Sequence, residues 1–129
     1  MTYRDRVSYS RDSSRIIRPP GLTPEDIVPT GLGKTSAALI DCWSRVFPLR
    51  RRTLIGRDRD TVDIAILDDV VSLCHAELIL GAYGWSLIDR DSTNGTFIDG
   101  RRISEPSQLS ARHMLTFGDI SFVFVERYR

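Results

Sequence analysis

Few cysteines and no long apolar run occur in this sequence, and these two absences exclude several classes of protein. Cys42 and Cys74 are the only cysteines, too few for the disulfide framework of a small secreted domain. No apolar run approaches the roughly 20 residues of a membrane-spanning helix, and residues 1–18 lack the apolar core of a secretory signal. We therefore expect reduced thiols in a cytoplasmic protein, or a nuclear one if the source is a eukaryote, with no contact to membranes.

The sequence also lacks a helical period after residue 53, and its apolar residues fall instead in short runs. Several of these runs alternate apolar and polar positions, as half-buried strands do. Many short strands at roughly ten-residue spacing indicate an antiparallel sandwich or barrel, an all-β fold. Nine runs are predicted to be strands: residues 37–40, 45–47, 53–55, 64–66, 76–80, 85–88, 96–98, 114–117 and 121–125.

Residues 1–34 are poor in apolar side chains and are interrupted by prolines and glycines, so ordering them would bury little surface. We predict a flexible basic tail over residues 1–34 and one folded domain over residues 35–129. Residues 1–52 hold ten basic and five acidic side chains, whereas residues 53–129 hold eight and twelve. Such a basic tail is able to contact nucleic acid or an acidic partner, but aromatic and basic residues do not interleave there, so we favour a solvated tail.

Polar clusters at the ends of the predicted strands carry the functional signal. Individually they are weak, since Asn94-Gly95 is simply a good hairpin turn. Their order and spacing together resemble the forkhead-associated (FHA) domain family. The resemblance rests on the segments 55–57, 63–69, 71–72, 75–78, 92–98, 100 and 117–119, with Trp85, Leu87, Asp89 and Leu109 between them.

This resemblance implies a β-sandwich of about eleven mostly antiparallel strands that binds phosphothreonine in peptides. A phosphothreonine presents a charge near −2 and three acceptor oxygens. Arg57 would offer a planar fork of donors to the phosphate, and Ser72 and Thr93 would add hydroxyl donors. Asn94 would hold the peptide backbone beside the phosphothreonine, because its amide both donates and accepts.

Other residues at the same place are predicted to shape the site. By the resemblance, Gly56 and His75 are architectural, and Gly95 is expected to take a positive φ in its turn. Leu73 departs from the family pattern, which often has a polar or basic residue after the loop serine. Only the Leu73 backbone N–H could assist phosphate binding there, so we expect binding to survive with weaker affinity.

Two patterns favour enzyme chemistry over a peptide-binding module. Residues 29–35 resemble a phosphate-binding loop with Lys34, and Asp68-Asp69 would then hold magnesium, with residues 37–43 as a possible helix. The loop lacks its first glycine, since Val28 stands there, and no crossover helices follow it. The adjacent Cys74 and His75 should point to opposite faces of a strand. We therefore predict no enzyme, no metal and no cofactor.

The functional prediction is an adaptor that binds a phosphothreonine-containing protein in signalling by a Ser/Thr protein kinase. A phospho-independent interaction module with the same fold is the alternative, and a nucleotide binder is a remote one. Thr23 has an acid three residues later, Asp26, which suggests a phosphorylation site in the tail. Its fourteen-residue distance from Ala37 spans up to roughly 46 Å when extended, so the tail could reach its own binding site.

Overall fold

Twelve β-strands and no helix make up the part of the chain that this computed structural model describes, residues 16–17 and 36–127. Within that part, no helix exists that is long and apolar enough to cross a membrane. The strands are β1 (Ile16–Ile17), β2 (Ser36–Ile40), β3 (Val46–Pro48), β4 (Arg52–Gly56), β5 (Ile64–Ile66), β6 (Ala76–Gly81), β7 (Gly84–Asp89), β8 (Thr96–Ile98), β9 (Arg101–Arg102), β10 (Ser107–Gln108), β11 (Met114–Phe117) and β12 (Ile120–Arg127).

The strands form two six-stranded sheets, ordered β1-β5-β4-β6-β7-β10 and β3-β2-β12-β11-β8-β9. Every pairing is antiparallel except that of β4 with β5, in which Ile55 lies opposite Ile64. Alternate side chains of each strand point inward, as in β7, where Trp85 and Leu87 are fully buried. Inward-facing side chains of the two sheets share one hydrophobic core, which identifies the fold as a β-sandwich.

Aromatic side chains fill much of this core. Phe122 on β12 packs edge-on against Phe47 on β3, with ring centroids 5.9 Å apart, and lies at the same distance from Phe117 on β11. Trp85 from the other sheet meets Phe124 at 6.3 Å. Such tilted and edge-to-face pairs stabilise a core beyond their buried area, so these contacts lock the two sheets together.

The all-β sandwich predicted from the sequence is confirmed, and each of the nine predicted runs overlaps an observed strand. The prediction missed β1, β9 and β10, because a strand of two residues has no measurable alternation. Residues 37–43, considered as a helix, instead hold β2 and the turn after it. Ile16–Ile17 pair with Ile66 and Ala65 of β5. The rest of the predicted tail, including Thr23 and Lys34, lies outside the described residues, and the domain boundary at residue 35 remains a prediction.

Strand direction brings four connecting segments to one end of the sandwich, which we call the loop end: residues 57–58, 67–75, 90–95 and 118–119. They meet there because β4, β5, β7 and β11 finish at this end while β6, β8 and β12 begin at it. The turn at residues 99–100 and the loop at residues 109–113 lie at the opposite end.

Candidate functional site

Arg57 is held at the loop end by its own backbone and by one nitrogen of its guanidinium group. Its backbone N–H donates to the carbonyl oxygens of Ser72 (2.9 Å) and Leu73 (3.1 Å), and its Nε donates to Val71 O (2.9 Å). The two terminal nitrogens make no hydrogen bond or ion pair with another described residue. The side chain is therefore oriented, while the outer edge of its donor fork stays available.

Gly56 is required because β4 and the loop before β6 approach each other very closely. A Cβ atom at residue 56 would lie only 2.1 Å from Leu73 O and 2.8 Å from Leu73 C. Both are backbone atoms, which cannot move aside as the end of a flexible side chain can. The missing side chain at Gly56 thus lets Arg57 and Ser72 share one small surface. Leu73 itself is 54% exposed.

His75 is fully buried and connects two of the four segments. Its Nδ1 lies 3.0 Å from the Ser72 backbone nitrogen, and its Nε2 lies 2.8 Å from Gly95 O. A backbone N–H can only donate and a carbonyl oxygen can only accept, so Nδ1 must be bare and Nε2 must carry the proton. Burial lowers the pKa of His75, although the bond to Gly95 and the charge of Asp89 favour the protonated ring. His75 is therefore a neutral brace, and Cys74 beside it is exposed.

Ser72 and Thr93 meet across the loop end. The Thr93 backbone N–H donates to Ser72 Oγ at 3.0 Å. A hydroxyl has one proton to donate in addition to its acceptor lone pairs, and Ser72 Oγ donates to no other described residue. The Thr93 hydroxyl is likewise without a hydrogen bond among the described residues, and Thr93 is exposed. Both hydroxyls therefore keep a donor available at the loop end.

Asp89 fixes the loop that presents Thr93. Its Oδ1 accepts from the hydroxyls of Ser92 and Thr96, both at 2.6 Å, and its Oδ2 accepts from the Ser92 N–H at 3.1 Å. Ser92 Oγ in turn accepts from the Gly95 N–H at 3.0 Å. Burial favours the neutral form of Asp89, but these hydrogen bonds outweigh it and lower the pKa of the carboxyl group. The loop is thus tied to the end of β7 by a charged side chain.

Sequence reasoning included Asp89, Ser92 and Thr96 in the family pattern but gave them no role. A signal was present, because an acidic residue at a strand end followed by Ser three residues later is a typical side-chain-to-backbone turn. Only the structure shows that all three side chains converge on one carboxylate.

Asn94 lies exposed at the rim of the site and connects to a third segment. Its Nδ2 donates to Val70 O at 2.9 Å, which leaves its second N–H and its carbonyl oxygen directed elsewhere. Gly95 adopts φ 98°, a conformation that glycine tolerates best. Gly95 O also accepts from the Gly118 N–H at 2.9 Å, so the segment 118–119 joins the same network. Asn94 therefore keeps one N–H and its carbonyl oxygen available for hydrogen bonds to the backbone of an extended peptide.

The structure thus brings together every residue that the sequence singled out at the site, apart from Thr23 in the tail. Among the described residues, no acidic side chain pairs with the terminal guanidinium nitrogens of Arg57 or with the hydroxyls of Ser72 and Thr93. Among the described residues, no three His, Cys, Asp or Glu side chains are grouped so as to hold a metal ion. The arrangement suits a tetrahedral oxyanion presented on an extended peptide.

A family model supports this reading on sequence grounds. The FHA domain model matches residues 53–118, just over half of the chain. The chain belongs to the FHA family. The match begins at β4 and ends at the turn after β11, and it contains Arg57, Ser72, Thr93 and Asn94.

Solved FHA structures resemble this fold. EmbR of Mycobacterium tuberculosis, solved with a low-affinity phosphopeptide, is 26% identical with a TM-score of 0.70; the match covers 81% of this chain and 28% of EmbR. The FHA domain of CT664 from Chlamydia trachomatis is 27% identical with a TM-score of 0.63, over 72% of this chain and 97% of that domain.

A third structure, the FhaA FHA domain complexed with the intracellular domain of Rv3910, is 26% identical with a TM-score of 0.60. That match covers 70% of this chain and 98% of the other. No curated protein matches the sequence. The chain spans little more than a quarter of the length of EmbR.

Proposed function

We propose that this FHA domain binds phosphothreonine peptides at the loop end, through Arg57, Ser72, Thr93 and Asn94. The observation that carries the proposal is the anchored guanidinium of Arg57, which keeps its terminal nitrogens open next to the available Ser72 hydroxyl. FHA structures similar to this one have been solved with a phosphopeptide or a partner domain bound.

The energetics fit a binding module of moderate affinity. Each hydrogen bond to a charged group contributes about 1.5–3 kcal/mol, and micromolar affinity corresponds to about −8 kcal/mol. Three donors on the phosphate, with backbone contacts at Asn94, reach that range. Leu73 supplies no side-chain donor, so we expect affinity at the weaker end.

Titration with a fluorescent peptide tests this proposal, using phosphothreonine, phosphoserine and unmodified versions. We expect micromolar binding of the phosphothreonine peptide only, and a loss of at least tenfold in Arg57→Ala. Arg59→Ala is the matched control, because Arg59 is an exposed arginine two residues further along the same loop. Equal losses of affinity in the two variants would mean that Arg57 contributes only its general positive charge and makes no specific contact with the phosphate. Absence of phospho-dependent binding would favour a phospho-independent interaction module.

We infer that the site serves recognition, and the nucleotide-binding alternative fits the structure less well. The nucleotide-binding alternative needs Asp68-Asp69 to hold magnesium, but Asp68 Oδ1 caps its own turn by accepting from the Val70 N–H at 3.1 Å. The strand β2 stands where that alternative needs a helix. We therefore expect no ATP binding by the protein, and no difference between the wild type and Lys34→Ala in a nucleotide titration.

In the cell this activity makes the protein an adaptor for a Ser/Thr kinase pathway, and the tail is its first candidate ligand. Ile16–Ile17 run antiparallel to β5, so the chain leaves Ile17 away from the loop end. Thr23 lies six residues later, a reach of about 20 Å, enough to turn back along a three-residue strand. Phosphorylation of Thr23 should weaken binding of an external phosphopeptide. Unchanged affinity, measured beside Thr23→Ala, would remove the tail as a regulator.

A further inference from the structure

Arg102 reaches the binding site from a strand that the sequence pattern did not reveal. It lies on β9, opposite Phe97 of β8. A Cβ atom at Gly95 would lie 2.9 Å from Arg102 Nε, 3.1 Å from its Cζ and 3.0 Å from Phe97 Cζ. The Arg102 guanidinium therefore lies against Gly95, the residue next to Asn94, while its strand belongs to the far edge of the second sheet.

The charge of Arg102 is not neutralised by the described part of the protein. Arg102 is exposed, and its side chain makes no hydrogen bond or ion pair with another described residue. Two other exposed arginines, Arg52 and Arg90, pair with the buried carboxylate of Glu77. Four more exposed arginines, Arg51, Arg59, Arg101 and Arg112, resemble Arg102 in having no side-chain partner among the described residues. What sets Arg102 apart is its place: its guanidinium lies against Gly95, where a bound peptide can supply the missing acidic partner.

Arg101 provides an internal comparison for Arg102. The two are adjacent and both exposed, but successive residues of a strand point to opposite faces. Arg101 lies opposite Ile98 and lines a cavity with Asp99 and His113 at the opposite end of the sandwich. The two side chains are chemically identical and differ only in their position in the fold, so Arg101 is a control for Arg102.

We propose that Arg102 is a specificity-determining residue, which binds an acidic side chain of the phosphopeptide close to the phosphothreonine. An arginine pairs well with a carboxylate, because its planar fork matches the two oxygens. We expect the preference on the Arg102 side of Asn94, because acidic residues adjoin the contacts on the other side: Asp69 precedes Val70, and Asp119 follows Gly118. Gly118 packs against Val70 there, with its would-be Cβ 3.1 Å from Val70 Cγ2. This inference rests on the proposed phosphothreonine binding.

The test is an affinity scan with phosphothreonine peptides on an alanine background, with one Asp at each of the three positions before and after the phosphothreonine. We expect one position at which Asp tightens binding by about five- to tenfold. Arg102→Gln should abolish that gain and leave the affinity of the all-alanine phosphopeptide unchanged. Arg101→Gln should keep the gain, and thermal unfolding should show both variants folded.

The outcomes separate this inference from the proposed function. No phospho-dependent binding by the wild type would overturn the proposed function, and the inference with it. Phospho-dependent binding with no preferred Asp position, or with a preference that survives in Arg102→Gln, would overturn the inference alone. Equal weakening of every phosphopeptide by Arg102→Gln would also overturn it, since Arg102 would then hold the phosphate itself.

Discussion

The two ends of the sandwich use the same device, an aspartate that collects hydrogen bonds, at different depths. At the loop end Asp89 is partly buried and accepts from Ser92 and Thr96. At the opposite end Asp99, in the turn after β8, accepts from the Met114 N–H at 2.8 Å and from His113 Nδ1 at 2.7 Å, but it is exposed. Water competes for the bonds of Asp99 far more than for those of Asp89.

This difference shows which end of the sandwich is held more rigidly. At the loop end, Gly56 and His75 each join segments that are distant in sequence, and Asp89 ties the loop at residues 90–95 to the end of β7. These contacts leave the neighbouring Arg57, Ser72 and Thr93 with open donors in fixed positions. Holding a site with packed supporting residues reduces the ordering cost of binding. The following predictions contrast the two ends.

The largest effect is expected from Gly56→Ala. Its new Cβ would lie 2.1 Å from Leu73 O, so β4 must separate from the loop before β6. We expect a loss of more than about 2 kcal/mol in the free energy of unfolding, together with loss of phosphopeptide binding. At the opposite end, Gly100 has φ 85° and no atom within 4 Å of its would-be Cβ. Gly100→Ala should cost only the backbone strain, about 1 kcal/mol. Equal costs in urea unfolding would contradict this contrast.

Asp89→Asn should have the next largest effect. It retains the shape of the side chain but removes the charge that accepts three hydrogen bonds, and each such bond contributes about 1.5–3 kcal/mol. Since an amide still accepts some of them, we expect a loss of about 2 kcal/mol and weaker phosphopeptide binding. Denaturant unfolding and the peptide titration measure these two effects. If binding stayed at the wild-type level, the Asp89 network would not position Thr93.

A smaller effect is expected from pH, through His75. Its folded-state pKa is lowered below 6.5, so as pH falls below about 6.5 the unfolded chain takes up a proton that the folded domain refuses. The free energy of unfolding should therefore decrease as pH falls from about 6.5 toward the folded-state pKa, with no contribution above that range. Urea unfolding at pH 7.5, 6.5 and 5.5 follows this change.

His75→Gln removes the titrating ring and should flatten this dependence. His113→Gln, at the opposite end, is the matched control and should leave most of it in place. If the pH dependence of the free energy of unfolding disappeared in His113→Gln and persisted in His75→Gln, His75 would not be the neutral, buried residue that connects the loops.

The smallest effect is expected from Asp99→Asn. The pKa of Asp99 is lowered by the Met114 N–H and by His113, so the ionised form is favoured, but water screens these contacts. We expect a smaller decrease in melting temperature than in Asp89→Asn, with phosphopeptide affinity unchanged. A loss of affinity would show that the two ends are coupled through β8 and β11.

Much of the site could be predicted from the sequence, because its residues sit in short motifs at strand ends. Arg57, Ser72, Thr93 and Asn94 were selected together because their spacing resembles the FHA pattern. The tautomer of His75 and the role of Asp89 were not predictable in the same way, since each depends on a carbonyl or hydroxyl supplied by another segment. Arg102 escaped notice because a strand of two exposed arginines has no pattern that distinguishes one from the other.

The sequence by itself determined the local features: short alternating strands, turns at glycines, and the set of side chains available for binding phosphate. These features follow from alternation and backbone preference, which act over a few residues. The tertiary structure decided the parallel pairing of β4 with β5, the close approach of Gly56 to Leu73, and the contact of Arg102 with Gly95. Each of these joins segments separated along the chain, so only the packing of the two sheets could bring them together.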